Sequence, residues 1–174
     1  RMRLTEEHPD AEICVNGGNG DTLFNRAYAL NQAAKKAAGD VFVVMDSDTW
    51  TPPENIQEVV RAVRLGWVAW AKACQFTAYL AEDSSVDKVR SNDYGAPLVI
   101  RREDWKRVGG MDERFRGWGG EDVAFGATLR RLVGPGKVLL DTYSYHLWHG
   151  EKVEHAEDLE VKEVLAEEYR RLYR

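Results

Sequence analysis

Two aspartates, Asp46 and Asp48, are separated by one serine and directly follow a run of five apolar residues at positions 41–45. Residues two apart in an extended segment face the same way, so both carboxylates can lie beside one divalent ion. Such an ion neutralises a diphosphate leaving group as its bond breaks. An Asp-x-Asp triplet is also common in solvated turns, and the spacing alone leaves both interpretations open.

Two histidines, His146 and His149, flank Leu147 and Trp148 near the end of the chain. Imidazole nitrogens bind Mn²⁺ and Zn²⁺, so this pair can complete a metal site begun by Asp48. The alternative is a pair of surface or half-buried histidines on either side of a packed Trp148. A zinc ion held by the histidines would favour a hydrolase.

A third motif, Gly-Trp-Gly-Gly-Glu-Asp, occupies residues 117–122. Its glycines let the backbone approach a ligand, and Trp118 offers a flat face of the kind that stacks on a sugar ring. Glu121 or Asp122 can take the proton from an attacking hydroxyl as a general base. Acidic residues also stabilise helix N-termini, which explains a carboxylate here but not Trp118 among the glycines.

Phe24 and Arg26 begin a predicted helix after the glycine-rich residues 16–21. Phe24 can stack on a nucleobase, and the guanidinium of Arg26 can donate to ribose or phosphate oxygens. A core phenylalanine and a surface arginine would explain the same residues.

Periodicity predicts the helices and strands that carry these residues. A strand at residues 11–15, a helix at 22–38 capped by Gly39 and a strand at 41–45 predict a βαβ unit. Ligands bind beyond the carboxyl ends of strands in such sheets, where Asp46 and Asp48 lie. The prediction is an α/β fold with a mainly parallel central sheet flanked by helices. Further strands are predicted at 67–71, 96–100 and 138–140, helices at 54–65, 102–108, 121–133 and 156–174, and a mobile loop at 82–93.

Length and composition predict one domain, residues 1–174, of a globular protein. The net charge of −5 disfavours a nucleic-acid binder, and no apolar run approaches the roughly 20 residues of a membrane span. Cys14 and Cys74 lie among apolar residues, which indicates free thiols, a reducing compartment and a cytoplasmic protein.

Taken in order along residues 9–150, these motifs resemble the β-1,4-galactosyltransferase type of GT-A enzyme and its bacterial and viral relatives. Phe24-Asn25-Arg26-Ala27 is similar to the family's donor-binding helix start, and Asp46-Ser47-Asp48 to its Asp-x-Asp. Residues 117–122 resemble its acceptor and catalytic loop. His149 matches a later metal-binding histidine, and His146 falls where relatives carry another ligand.

The resemblance implies an inverting transferase that moves a sugar from a UDP-sugar to an acceptor hydroxyl, on a glycan or another molecule. The implied cofactor is Mn²⁺ or Mg²⁺, and the oligomeric state stays open. The implied base is Asp122, and the other implied site residues are Trp118, Gly119, Gly120 and Glu121 for the acceptor, Phe24, Asn25, Arg26 and Asp46 for the donor, and Asp48, His146 and His149 for the metal.

Two further expectations come from the resemblance. The family begins with a strand and a helix before the equivalent of residues 11–15, and residues 1–10 correspond to a remnant of that helix. Retaining polypeptide N-acetylgalactosaminyltransferases carry an asparagine where this chain has Asp122, so the carboxylate favours inversion. Two other functions remain open, a metal-dependent hydrolase of sugar nucleotides or phosphoesters and a catalytically idle carbohydrate-binding module.

Overall fold

A computed structural model of the chain describes residues 6–17, 24–91, 97–117, 119–150 and 156–172. Of the expected helix remnant at residues 1–10, residues 6 and 7 are helical, and residues 1–5 lie outside the described part. The described residues also form five longer helices and eight strands. The helices are α1 (Arg26–Lys36), α2 (Pro53–Arg64), α3 (Arg102–Val108), α4 (Glu121–Leu132) and α5 (Ala156–Leu172). The strands are β1 (Val41–Val44), β2 (Thr49–Trp50), β3 (Trp70–Lys72), β4 (Phe76–Leu80), β5 (Val86–Ser91), β6 (Leu98–Arg101), β7 (Lys137–Val138) and β8 (Tyr143–His146).

The strands form two four-stranded sheets. The first sheet has the order β1-β6-β3-β7, and the second has the order β2-β8-β4-β5. The α/β class is confirmed, but only the pairs β3–β7 and β4–β8 are parallel, while the other four pairs are antiparallel. The prediction of a mainly parallel sheet therefore holds only in part, because β6 runs between β1 and β3 in the opposite direction.

The predicted strand at residues 11–15 is wrong. Residues 11–17 form no strand, and β1 ends the first sheet in the part of the chain that the structure describes. Val15 is 60% exposed, so the apolar run is not buried as a strand in the sheet would be. Helix α1 also begins at Arg26 instead of residue 22, and it ends at an extended Ala37 instead of at Gly39. The described residues thus lack the predicted βαβ unit.

The first sheet is covered on both faces by helices. Because side chains alternate along a strand, Leu98 and Ile100 of β6 contact one hydrophobic cluster and Val99 contacts another. The first cluster includes residues of α1, α3 and α4, and the second includes Ile56, Val59 and Val63 of α2. The helices predicted at 54–65, 102–108 and 121–133 are confirmed, as is the C-terminal helix. The strands predicted at 67–71, 96–100 and 138–140 are also found, shifted by one to three residues at their starts where these are described.

The predicted mobile loop at residues 82–93 is wrong for most of its length. Val86–Ser91 forms β5, an antiparallel partner of β4, after a turn in which the Asp83 carboxylate accepts hydrogen bonds from the backbone N–H and hydroxyl of Ser85. Every residue of β5 is exposed. Its polar composition therefore indicated a loop, although pairing with β4 makes it a strand.

Two asparagines of α1 bind the chain segment that leads to α4. The amide of Asn31 donates to the Met111 carbonyl at 2.8 Å and accepts from the Met111 N–H at 2.9 Å. Asn25 caps α1 through the Tyr28 N–H at 2.8 Å and donates to the Glu113 carbonyl at 2.7 Å. Both asparagines are buried, so these bonds form away from competing water. They fix residues 111–113 against the start and middle of α1.

Two adjacent glycines at the end of α3 offer a matched test of this contact. Both Gly109 and Gly110 have positive φ, but a Cβ on Gly110 would lie 2.4 Å from Asn31 Oδ1, while a Cβ on Gly109 meets nothing within 4 Å. We expect Gly109→Ala to lower the free energy of unfolding by about 1–2 kcal/mol through its backbone alone. We expect Gly110→Ala to cost about 1–3 kcal/mol more, because Asn31 must move. Urea unfolding of both variants measures the difference, and equal losses would contradict the contact.

Candidate metal and catalytic centre

Asp48, His146 and His149 come together at one edge of the second sheet. Asp48 Oδ2 lies 3.6 Å from His146 Nε2 and 3.3 Å from His149 Nε2. One ligand atom of each residue lies within 4.8 Å of the others. The structure thus unites the three residues that the sequence singled out as metal ligands.

Strand pairing accounts for this arrangement. Asp48 immediately precedes β2, and Thr49 of β2 lies opposite His146 of β8. The Leu147 N–H also donates to the Asp48 carbonyl at 2.7 Å, which extends the pairing by one step. The His146 ring stacks on Tyr79 of the neighbouring strand, with ring centroids 4.9 Å apart. The backbone and a stacked ring therefore hold Asp48 and His146 in place.

The donor set of the three residues suits a divalent transition-metal ion. His146 Nδ1 lies 3.1 Å from the Leu147 carbonyl, and donation of Nδ1–H to that oxygen would leave the Nε2 lone pair directed at the site. Two imidazole nitrogens and one carboxylate oxygen can bind Mn²⁺ or Zn²⁺. The residues present therefore fit the metal that the sequence motifs imply.

A second charged cluster forms around Arg26, the first residue of α1. Arg26 Nε lies 2.5 Å from Asp46 Oδ1, and Arg26 Nη1 lies 2.5 Å from Asp122 Oδ1. The Glu121 carboxylate lies 3.4 Å from the same Nη1. One guanidinium thus joins the first aspartate of the Asp-x-Asp motif to both carboxylates at the start of α4.

The surroundings of this cluster shift its pKa values. Burial favours the uncharged form of Arg26, but the attraction of Asp122 and Asp46 outweighs it and raises the pKa of Arg26. Burial raises the pKa of Glu121, and repulsion by Asp122 adds to the effect. Burial likewise raises the pKa of Asp122, although the attraction of Arg26 opposes it. Asp122 is therefore a stronger proton acceptor than an exposed aspartate.

The glycines before α4 shape the approach to these carboxylates. Gly119 and Gly120 have φ of +92° and +96°, and a Cβ on Gly120 would lie 2.8 Å from the Phe115 ring. The Gly117 N–H donates to the Phe24 carbonyl at 2.9 Å, which ties the loop to the residue before the α1 cap. Trp118 lies outside the described residues.

The residues predicted to bind a donor differ in accessibility. Phe24 is 55% exposed and lines the cleft, whereas Asn25 is 3% exposed and both ends of its amide bind the protein. Trp148 is 53% exposed, so the packed tryptophan considered as an alternative between the two histidines is wrong. Phe24 and Trp148 can therefore meet a ligand directly, whereas Asn25 positions the chain.

Both clusters line one cleft of 2180 Å³. Sequence reasoning missed two residues beside it. Tyr79 stacks on His146, and the positive charge of the fully buried Lys72, at the end of β3, opposes the rise in the pKa of Asp122. Neither residue belongs to a motif, and each reaches the site only because β3 and β4 run toward it.

Comparisons with known proteins agree with this geometry. Residues 79–136, one third of the chain, match the family model described as the N-terminal domain of galactosyltransferase. A search of curated proteins gives no match. Among solved structures, the catalytic domain of Drosophila beta1,4-galactosyltransferase 7, in complex with xylobiose, matches with a TM-score of 0.66 at 18% identity. The match covers 93% of this chain and 70% of that one. The chain has the GT-A fold, and its residues 79–136 are similar to the galactosyltransferase family.

Two further structures share the GT-A fold. A mutant of the same Drosophila enzyme, in complex with manganese, UDP-Gal and xylobiose, has a TM-score of 0.59 at 17% identity, covering 91% of this chain and 69% of that one. S. aureus TarS in complex with UDP-GlcNAc has a TM-score of 0.58 at 16% identity, covering 96% of this chain and 53% of that one.

The described helices of the GT-A domain include none that is long and apolar enough to cross a membrane.

Because Glu121 is buried, we expect replacement of its carboxylate by a neutral amide to stabilise the protein, to an extent that depends on pH. The pKa of Glu121 is higher in the folded protein than in the unfolded chain. Ionisation of Glu121 therefore makes folding less favourable as pH rises from its pKa in the unfolded chain through its pKa in the folded protein. We expect Glu121→Gln to be more stable than the wild type at neutral pH, and the gain to vanish at acid pH, where Glu121 is protonated in both states. Urea unfolding between about pH 4 and about pH 8 measures this.

Glu54→Gln is the matched control, because Glu54 lies in the first turn of α2 and is exposed. We expect its effect to be small at every pH. A Glu121→Gln protein less stable than the wild type at neutral pH would show that attraction to Arg26 outweighs burial.

Proposed function

We propose that this GT-A domain is a metal-dependent, inverting glycosyltransferase that moves a sugar from a UDP-sugar to an acceptor hydroxyl. The observation that carries the proposal is the placement of a metal-ligand triad and the carboxylate pair at the start of α4 in one cleft. Asp46, two residues from Asp48, contacts Arg26, which in turn contacts Asp122. A donor bound at the triad and an acceptor at Asp122 would therefore lie side by side.

The donor side consists of the triad and the start of α1. Asp48, His146 and His149 would hold Mn²⁺ or Mg²⁺, which neutralises the diphosphate as the bond to the sugar breaks. Phe24 is exposed at the cleft and offers a ring on which uracil can stack. The related folds support this assignment, since one neighbour was solved with manganese and UDP-Gal and another with UDP-GlcNAc.

The acceptor side consists of the loop before α4 and the first two residues of that helix. Asp122 retains 30% of its side-chain exposure, and Arg26 contacts its Oδ1, so that Oδ2 can accept a proton from the acceptor hydroxyl. The raised pKa of Asp122 suits a general base. Glu121, with a side chain only 7% exposed, would bind another acceptor hydroxyl. Gly119 and Gly120 would leave room for the sugar ring, and Trp118 would cover it.

Inversion follows from the use of a base instead of a nucleophile. When Asp122 takes the proton, the acceptor oxygen attacks the anomeric carbon from the side opposite the leaving diphosphate. A single displacement then forms the new glycosidic bond as the old bond breaks, and the configuration inverts. The xylobiose bound by the Drosophila enzyme supports a carbohydrate acceptor for this chain.

Replacement of Asp122 tests the proposed proton transfer separately from binding of the donor. We expect Asp122→Asn to lower kcat for transfer by about 100-fold or more, because an amide cannot accept the proton. The affinity for UDP with Mn²⁺ should stay within about threefold, since the triad is intact. Glu58→Gln, an exposed carboxylate of α2, is the matched control. Product analysis from a radiolabelled UDP-sugar measures transfer, and full turnover by Asp122→Asn would exclude it as the base.

Replacement of a ligand tests the metal site. We expect His146→Ala and Asp48→Asn each to weaken Mn²⁺ binding at least about tenfold in calorimetry, and EDTA to stop transfer. Asp141→Asn is the control, because Asp141 is exposed just before β8 and asparagine tolerates its positive φ. Transfer that survives complete removal of metal would exclude this part of the proposal.

A further inference from the structure

One face of the second sheet continues from the metal triad to two exposed cations. His146 of β8 lies opposite Tyr79 of β4, and Tyr79 lies opposite Lys88 of β5. Arg90, two residues after Lys88, lies opposite Thr77 and faces the same way. Residues opposite each other in neighbouring strands share a face, so a single surface carries a metal ligand at one strand and two cations two strands away.

The side chains of these residues also lie close to one another. The Tyr79 ring stacks on His146, and the same ring lies 5.2 Å from Lys88 Nζ and 5.6 Å from Arg90 Cζ. Both cations line the cleft that contains the triad. Two strand spacings place the backbones of His146 and Lys88 roughly 10 Å apart, and the lysine side chain leans over Tyr79 toward the triad.

The charges of the two clusters leave the phosphates of a bound donor without a matching positive charge. Four carboxylates lie at the two clusters: Asp46, Asp48, Glu121 and Asp122. Arg26, the nearby Lys72 and a divalent ion would only balance them. A sugar-nucleotide diphosphate adds one negative charge for each phosphate, in a chain whose net charge is already −5. Lys88 and Arg90 supply the matching positive charges.

The ion pair between Lys88 and Asp87 leaves the lysine available to a phosphate group. Its ammonium lies 3.7 Å from the Asp87 carboxylate, and the two side chains are 49% and 58% exposed. Such a long, solvent-exposed pair contributes little free energy, so exchange of Asp87 for a phosphate oxygen costs little.

We propose that Lys88 and Arg90 form a phosphate-binding subsite that holds the diphosphate of the nucleotide-sugar donor beside the metal. This inference rests on the proposed function, since it presumes that a nucleotide diphosphate binds at the triad. Lys88 binds phosphate oxygens as a compact charge, and Arg90 donates from its planar fork. The hairpin of β4 and β5 thereby becomes a wall of the donor site.

The test is calorimetric titration of the full chain with UDP in the presence of Mn²⁺. We expect the double variant K88Q/R90Q to bind UDP about 10- to 100-fold more weakly than the wild type, and its affinity to depend less on NaCl concentration. The matched control is K106Q/R107Q, which removes one lysine and one arginine from the exposed surface of α3. This control should bind UDP as the wild type does. Uridine, which lacks phosphates, should not discriminate between the variants.

The outcomes separate this inference from the proposed function. If the wild type fails to bind UDP with Mn²⁺, the proposed function is wrong, and this inference falls with it. If the wild type binds and K88Q/R90Q binds equally well, only the subsite is wrong. Unchanged UDP affinity together with a raised KM for an anionic acceptor would assign the cations to the acceptor and would also overturn the inference. Thermal unfolding without ligand checks that all variants fold.

Discussion

The arrangement of the whole site depends on one shared cation. Arg26 contacts carboxylates from two distant segments, Asp46 after β1 and the Glu121–Asp122 pair at the start of α4. Without a positive charge between them, these carboxylates would repel one another, and burial already disfavours the charged forms of Glu121 and Asp122. Arg26 therefore allows the Asp-x-Asp motif and the carboxylates of α4 to lie in the same cleft.

Hydrogen bonds of two asparagines and one backbone carbonyl attach α1 to the segment that leads to α4. Asn25 and Asn31 bind the backbone of residues 111–113, and the Phe24 carbonyl accepts from Gly117. Helix α1 and the loop before α4 thus move together, with Arg26 between them. Gly110 and Gly120 permit the close approach, because a Cβ on either would collide with Asn31 or Phe115. Buried amide groups therefore position the helix start that carries Arg26, and Arg26 in turn contacts the carboxylates.

The sequence predicted which residues share one cleft better than it predicted how the strands pair, for a physical reason. Asp48, His146 and Asp122 lie at or beside the ends of their elements, where local patterns are informative, and the structure brings them into one cleft. Strand direction instead depends on distant partners, so the antiparallel pairing of β1 with β6 could not be read from residues 41–45. Strand β5 was missed because all of its residues are exposed, and only pairing with β4 makes it a strand. Residues 11–15 looked like a strand but pair with none in the described ranges.

The two sheets place different residues at the cleft, and residues 46–48 connect them. The first sheet and its helices place Arg26, Glu121 and Asp122 on a buried framework, which suits a group whose pKa must be raised. The second sheet is short, polar and open, and it exposes His146 and the cations of β5 to the cleft. A metal ion and phosphate groups are strongly hydrated, so a site that receives them must be reachable from water. A proton acceptor is more basic where water is excluded. Under the proposed function, the second sheet carries the metal site and the first sheet with its helices carries the base, while residues 46–48 keep the two adjacent.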